Sequence, residues 1–253
     1  MPLRVIDLGL ASAVASQAAG YGIADAPAAG GRPAVVLADP IEPFLSVGAN
    51  QDIKRTIDLS FCCRRGIRII RRRLGGGAIY IDRDQLMFHL IVPLGRAPRP
   101  PSRILPTLAA PVIDTCRDLG IAAELQPPGD VAVGGRKIAG TAGAEIGNSV
   151  VVGGTLLFDF DTALMARCLE LPTERHYTRL SGRLERTMTT IRRELGATPA
   201  GDCQDPPRYK FCTHPRRGAE TRRLFWNGAR GDRRRRSAVG GCGSAGLASA
   251  AMI

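Results

Sequence analysis

Histidine is scarce in this chain, with three in 253 residues, and its seven cysteines never form a C-x-x-C pair. A zinc site needs Cys and His at short, repeated spacing, so that chemistry is excluded at the outset. An odd number of cysteines spread from Cys62 to Cys242 is not a disulfide framework. They are read as reduced thiols of a cytoplasmic protein. No stretch of about 18 apolar residues is present, so no membrane-spanning helix is expected. Leu8 to Ala19 has some of the apolar character of a secretion signal, but Asp7 and Gln17 interrupt it and only Arg4 supplies positive charge ahead of it. It is assigned to a helix of the fold.

What is present is a basic chain with the apolar content of a globular protein: 44% hydrophobic residues and a net charge of +12. Positive charge of that size raises nucleic acid as a partner. Its distribution argues against one. From Gly201 onward eleven Lys/Arg face four Asp/Glu, so seven of the twelve charges lie in the last 53 residues. That segment is rich in Arg and Gly, holds the run Arg233 to Arg236 and the single tryptophan, Trp226, and shows no sustained period. The boundaries that follow are one sizeable domain over 1–198 and an irregular, poorly ordered basic tail over 199–253.

Within the domain the pattern alternates between strand and helix. A helix is expected over Leu3 to Asp25, strands at Pro33 to Ala38 and Phe44 to Gly48, and a short helix capped by Asp52 and closed by Gly66. Ile67 to Arg73 reads as a strand, and Ala78 to Ile81 with Gln85 to Leu94 as a pair of strands turning at Asp82-Arg83-Asp84. In the second of these, Leu86, Phe88, Leu90 and Val92 share one face while Met87, His89 and Ile91 share the other. An apolar strand on both faces is a covered, central one, and its histidine is read as a packed or rim residue rather than a ligand. A helix follows over Ser102 to Leu119 with Pro111 inside it, a kink worth roughly 3 kcal/mol unless packing compensates. Next come strands at Ile121 to Leu125, Asp130 to Val133, Arg136 to Ala142 and Ser149 to Phe160, the last marked at Gly153-Gly154 as a bulge or close approach. Two helices close the domain, from Asp161 to about Glu170 and from Glu174 to Leu195. The order predicts an α+β fold of mixed sheets flanked by helices.

Two glycine-flanked cationic stretches stand out. In Arg71-Arg72-Arg73-Leu74-Gly75-Gly76-Gly77-Ala78-Ile79-Tyr80, three consecutive glycines let the backbone turn several N–H groups toward one anion, beside arginines suited to phosphate or carboxylate. In Gly134-Gly135-Arg136-Lys137-Ile138-Ala139-Gly140-Thr141-Ala142, one lysine sits in a similar setting. The first alone reads equally well as a hairpin, and the second alone reads first as a strand with its lysine facing solvent after a Gly-Gly turn.

Together, and with Asp82, with Asp130 and with Gly154-Thr155-Leu156-Leu157 followed by Asp161 and Leu164, these stretches resemble the lipoate–protein ligase branch of the biotin/lipoate ligase fold. The resemblance spans about Leu3 to Gly196. It implies a ligase that uses ATP, with magnesium, to activate lipoate as lipoyl-adenylate, then passes the lipoyl group to a lysine of a lipoyl-carrier domain from a dehydrogenase complex or glycine-cleavage system. Lys137 is the expected catalytic residue. Arg72, Gly75, Gly76, Gly77, Ala78, Ile79, Tyr80, Lys137 and Asp130 are expected to hold nucleotide and acyl group, with Ile70, Ile79 and Val152 lining the acyl slot. No residue is expected to serve as a dedicated metal ligand. The chain departs from the usual family pattern at Leu74, Gln85, Gly129 and Val152-Gly153, where hydrogen-bonding residues are common. Its tail does not resemble the accessory domain that some members carry, so a separate accessory chain is a candidate partner. Rival readings are an octanoyl or lipoyl transferase of the same fold, which needs a nucleophilic cysteine and has only Cys168 to offer, a biotin ligase, and a non-catalytic protein that binds an adenylate or a lipoyl carrier.

Overall fold

The computed structural model describes residues 3–26 and 31–196; the tail expected over 199–253 lies outside them. In chain order its elements are β1 (Arg4–Ala11), α1 (Ala13–Asp25), β2 (Ala34–Pro40), β3 (Phe44–Val47), α2 (Ile53–Thr56), α3 (Leu59–Arg64), β4 (Arg68–Arg71), β5 (Ile79–Ile81), β6 (Gln85–Pro93), α4 (Ile104–Asp118), β7 (Glu124–Gln126), β8 (Asp130–Val133), β9 (Arg136–Ile146), β10 (Ser149–Leu157), α5 (Thr162–Arg167), α6 (Glu174–Thr187) and α7 (Ile191–Leu195). Seven strands form one sheet in the order β1-β2-β6-β10-β9-β8-β7, and three form a second in the order β4-β3-β5. Parallel pairing occurs at β1/β2 and β3/β4 and antiparallel pairing elsewhere. The fold is therefore α+β with mixed sheets, as expected.

The alternation in β6 places its two faces. Leu86, Phe88, Leu90 and Val92 join Val35, Leu37, Val150 and Val152 under Ile104, Leu108 and Val112 of α4. On the opposite face Ile91 packs with Val36, Val151 and Tyr21 of α1, and His89 lies edge-on to the Tyr21 ring at 5.3 Å. A strand apolar on both sides is central because only a central strand is covered on both sides.

Several expectations are corrected. The N-terminal helix over Leu3 to Asp25 is two elements: residues 4–11 pair with β2, and Ser12 caps α1 by accepting from the Ala15 N–H. Helix propensity there yields to the free edge of the sheet. The strands on either side of Asp82-Arg83-Asp84 do not pair with each other. β5 pairs with β3 in the small sheet and β6 with β2 and β10 in the large one, so the turn is a corner between sheets. At Gly153-Gly154 the register of β10 runs unbroken against both neighbours, so there is no bulge. The glycines answer a close approach instead, since a Cβ on Gly154 would sit 2.3 Å from the Gly140 carbonyl oxygen. Finally, the last helix is split. Met188 to Thr190 are extended, with Met188 bridging to Lys137 and the Thr189 N–H donating to the Lys137 carbonyl at 2.8 Å.

Candidate active site

The small sheet holds the first cationic stretch. β4 and β5 lie on opposite sides of β3, so residues 72–78 must cross over the end of β3 to connect them. Gly48, just past that end, makes the crossing sterically feasible: a Cβ there would lie 1.9 Å from the Gly76 carbonyl oxygen. The Arg72 N–H donates to Val47 O and the Ala49 N–H to Leu74 O, both at 2.9 Å.

Arg72 then turns its guanidinium back on its own loop. It donates through Nε and Nη2 to Gly75 O at 3.0 and 2.7 Å, through Nη2 to Gly77 O at 2.7 Å, and through Nη1 to Ser46 O at 2.8 Å. In a trans peptide the N–H lies opposite the C=O, so the N–H groups of Gly76 and Ala78 point away from the guanidinium that holds their partner carbonyls. Sheet pairing begins only at Ile79, so the sheet does not consume them. Burial lowers the Arg72 pKa to about 10, still well above neutrality.

Lys137 comes from the large sheet, on β9, with its Nζ 2.8 Å from Asp130 Oδ1 on β8. Gly140 makes room for the side chain, since a Cβ at that position would lie 2.6 Å from both Cε and Nζ of Lys137. Burial depresses the Lys137 pKa; Asp130 opposes the fall and the Arg72 charge adds to it. The two cations are thus close enough to sense each other.

They share one cavity. Arg72, Gly76, Gly77, Ala78, Ile79, Asp130 and Lys137 all line it. Gly75 and Tyr80 do not: Gly75 presents its carbonyl to Arg72, and Tyr80 is buried in the small-sheet core with its N–H on Met165 Sδ. Of the expected acyl-slot residues only Ile79 reaches the cavity. Ile70 packs beside Phe44 and Ile81, and Val152 faces the α4 side of the large sheet. Apolar lining comes instead from Leu74, Ile81, Met87 and Leu105. Leu74 and His89 close over Gly153, where a Cβ would fall 2.7 Å from Leu74 Cδ1.

Sequence reasoning missed several polar lining residues. Ser46 Oγ donates to Gln17 Oε1 at 2.7 Å, and Gln17 Nε2 to Tyr21 Oη at 3.0 Å, a buried chain linking α1, β3 and Arg72. Thr155 lines the cavity with its hydroxyl buried and without a hydrogen-bond partner. A buried hydroxyl left unpaired carries a free-energy cost and so points to a bound group that satisfies it. Its position within Gly154-Thr155-Leu156-Leu157 was the available signal. His89 also lines the cavity, and burial holds it neutral with a pKa of about 4. With His89 neutral, two cations and one carboxylate leave the cavity one positive charge, a setting for an anion.

Cys168 lies elsewhere. It is fully buried against Cys62 in the small-sheet core, and burial pushes its thiol far above the usual range. None of the four cysteines among the described residues lines the cavity. Nor do the described residues gather three His, Cys, Asp or Glu side chains in a metal-holding group.

Comparison with known proteins agrees with this architecture. The family model for the lipoyl protein ligase A/B catalytic domain matches residues 23–205. The lipoate-protein ligase LplJ of Bacillus subtilis is 33% identical over 118 residues, 47% of this chain and 35% of that protein. The octanoyltransferase LipM of Geobacillus kaustophilus is 26% identical over 163 residues, 54% of this chain and 58% of that protein. The matched stretch spans only about a third of the length of the lipoate–protein ligases it resembles. Among solved structures, the fold is shared with a bi-partite lipoate protein ligase from Thermoplasma acidophilum, studied with its E2 lipoyl domain (TM-score 0.67, 21% identity, 76% of this chain and 75% of that one). It is also shared with a lipoate-protein ligase A bound with ATP (TM-score 0.65, 19% identity, 84% and 83%). With the family model covering most of the domain and the fold agreeing, the chain belongs to the lipoyl protein ligase A/B catalytic domain family.

Proposed function

We propose that this protein is an ATP-dependent lipoate–protein ligase. The observation that carries the reading is the convergence of Lys137, the Gly76–Ala78 backbone and the unpartnered Thr155 hydroxyl on one cavity with a surplus positive charge. In the first step a lipoate oxygen attacks the α-phosphorus of ATP, the bond to the β-phosphate oxygen breaks, and pyrophosphate leaves. Negative charge on the phosphoryl oxygens is met by the Lys137 ammonium and by backbone N–H groups that need no reorganisation. In the second step the carrier lysine's neutral amine attacks the lipoyl carbonyl, AMP departs, and the amine's surplus proton is released. Lys137, long and mobile at its tip, can follow charge from phosphate to carbonyl oxygen, with Asp130 orienting it. Arg72 contributes chiefly by fixing the glycine loop, because its N–H groups are already committed to Ser46, Gly75 and Gly77. The apolar wall of Leu74, Ile79, Ile81 and Met87 suits the acyl chain. Magnesium in this reading accompanies the nucleotide phosphates.

The similarity to octanoyltransferases keeps a cysteine-thioester route as the second reading. Its chemistry needs an accessible thiolate, and Cys168 is buried, with its thiol pKa raised. The test is pyrophosphate release on mixing the protein with ATP and lipoate, followed by mass spectrometry of a lipoyl domain incubated with lipoate or octanoate. A ligase releases pyrophosphate before any carrier is added and tolerates Cys168→Ser. ATP-independent transfer that Cys168→Ser abolishes would establish the transferase instead. Absence of both, with the nucleotide still bound, would leave a binding protein.

A further inference from the structure

Helix α6 carries a feature that the chemistry above does not use. At about 100° per residue, Arg175, Arg179, Arg183 and Arg186 fall within an arc of about 80°. All four are exposed. The opposite side of the helix, through Leu180 and Leu184, packs on the small-sheet core. Some arginines elsewhere on the molecule find carboxylates, as Arg136 on Glu194, Arg167 on Glu174 and Arg192 on Asp159 do. None of the four stripe arginines forms an ion pair among the described residues. The helix's own two carboxylates lie off the stripe, with Glu174 held by Arg167 and Glu185 within reach of the Thr162 hydroxyl. Like charges at i, i+4 oppose helix formation, so the arrangement is unfavourable for an isolated helix and is relieved by an external anion.

The placement of the helix says which one. α6 stops at Met188, which bridges to Lys137, and the Thr189 N–H bonds the Lys137 carbonyl. The stripe, about 17 Å from Arg175 to Arg186 at 1.5 Å per residue, therefore ends two residues before Met188, which pairs with the backbone of the strand residue whose side chain lines the cavity. A protein that must bring a lysine to that cavity gains register by laying an acidic surface along α6.

We propose that the α6 stripe is the docking surface for the acyl-accepting carrier, and that the carrier meets it with a patch of Asp and Glu. This rests on the ligase reading for the partner's identity. The two are separated by measuring carrier binding apart from turnover. Arg179→Glu/Arg183→Glu protein and the parental protein are titrated with a purified lipoyl domain of negative net charge at low and high salt, and pyrophosphate release from ATP and lipoate is followed without carrier. Expected are unchanged pyrophosphate release, which also verifies folding, a carrier Kd and transfer KM raised by about tenfold or more, and parental affinity that falls with salt. Unchanged carrier affinity in the double variant overturns the proposal. So does the pattern in which the variant loses binding to an RNA or DNA oligonucleotide while carrier affinity is retained. Failure of the parental protein to release pyrophosphate overturns the ligase reading, and the titration still judges the docking surface.

Discussion

Lys137 is kept charged in a place where burial works against the charge. Asp130 supplies the compensating partner and Gly140 the space. Replacing Lys137 with alanine should lower lipoyl-adenylate formation by about 10²–10³-fold, measured as pyrophosphate release in the absence of carrier. Gly140→Ala tests position rather than presence. Its Cβ would collide with the flexible end of Lys137 rather than with backbone, so the fold should survive, as judged by thermal unfolding, while adenylate formation falls. The pKa direction fixes the sign of the pH effects. The folded value lies below the ordinary 10.5, so activity carried by the ammonium should decline on the alkaline side earlier than for a free lysine. Asp130→Asn, which removes the influence that raises the pKa, should move that limb to lower pH. Between the folded value and 10.5 the unfolded chain binds the extra proton, so stability attributable to this group rises with pH in that window.

His89 gives the acid counterpart. Its folded pKa is about 4 against an ordinary 6.5, so the unfolded chain takes up a proton that the folded one refuses, and stability is lost as pH falls from about 6.5 toward 4. The shift corresponds to on the order of 3 kcal/mol. Urea unfolding at pH 7 and pH 4.5 should show the loss in the parental protein and a smaller one in His89→Phe. The packed character of this histidine was legible in the alternation of β6. That it would line the cavity was not, because neighbours across the sheet are set by pairing register and not by local pattern.

At the scale of elements, the glycine loop is held by what lies beneath it. Gly48 belongs to no motif of the sequence, yet the crossing of residues 72–78 over β3 depends on it. Gly48→Ala places a methyl group against a backbone carbonyl that cannot swing aside. It should destabilise the fold by about 3 kcal/mol and impair adenylate formation even under conditions where the protein remains folded, as read by denaturant midpoint and pyrophosphate release. The stretch from Arg71 to Tyr80 stood out as a candidate anion-binding loop, but the sequence could not tell which of its residues face the cavity. Pairing with β3 turns Tyr80 into the core, and Arg72 faces inward because three backbone carbonyls converge on it. The split of the last helix into α6 and α7 was equally hidden. Met188 and Ile191 keep helical spacing, and it is pairing with the distant Lys137 backbone that accompanies an extended link in place of another helical turn.

For the whole molecule, the described residues that line the cavity all lie between Gln17 and Thr155. On the expectation that the Arg/Gly-rich segment takes no part in adenylate formation, a chain ending at residue 198 should keep pyrophosphate release within about twofold of the full-length protein while losing seven of its twelve net positive charges. Comparing the two chains at equal concentration measures this directly.

The sequence by itself determined the class of fold, the central position of β6, and the two cationic segments, because periodicity, glycine content and charge are local properties written residue by residue. Which groups meet was decided by tertiary structure alone. Lys137 and Gly76–Ala78 are brought to one cavity by two separate sheets joined at the Asp82–Asp84 corner, and Gln17, Ser46 and Thr155 enter it from three different elements. Such convergence follows from strand order and packing between distant segments, and no stretch of the chain read alone encodes it.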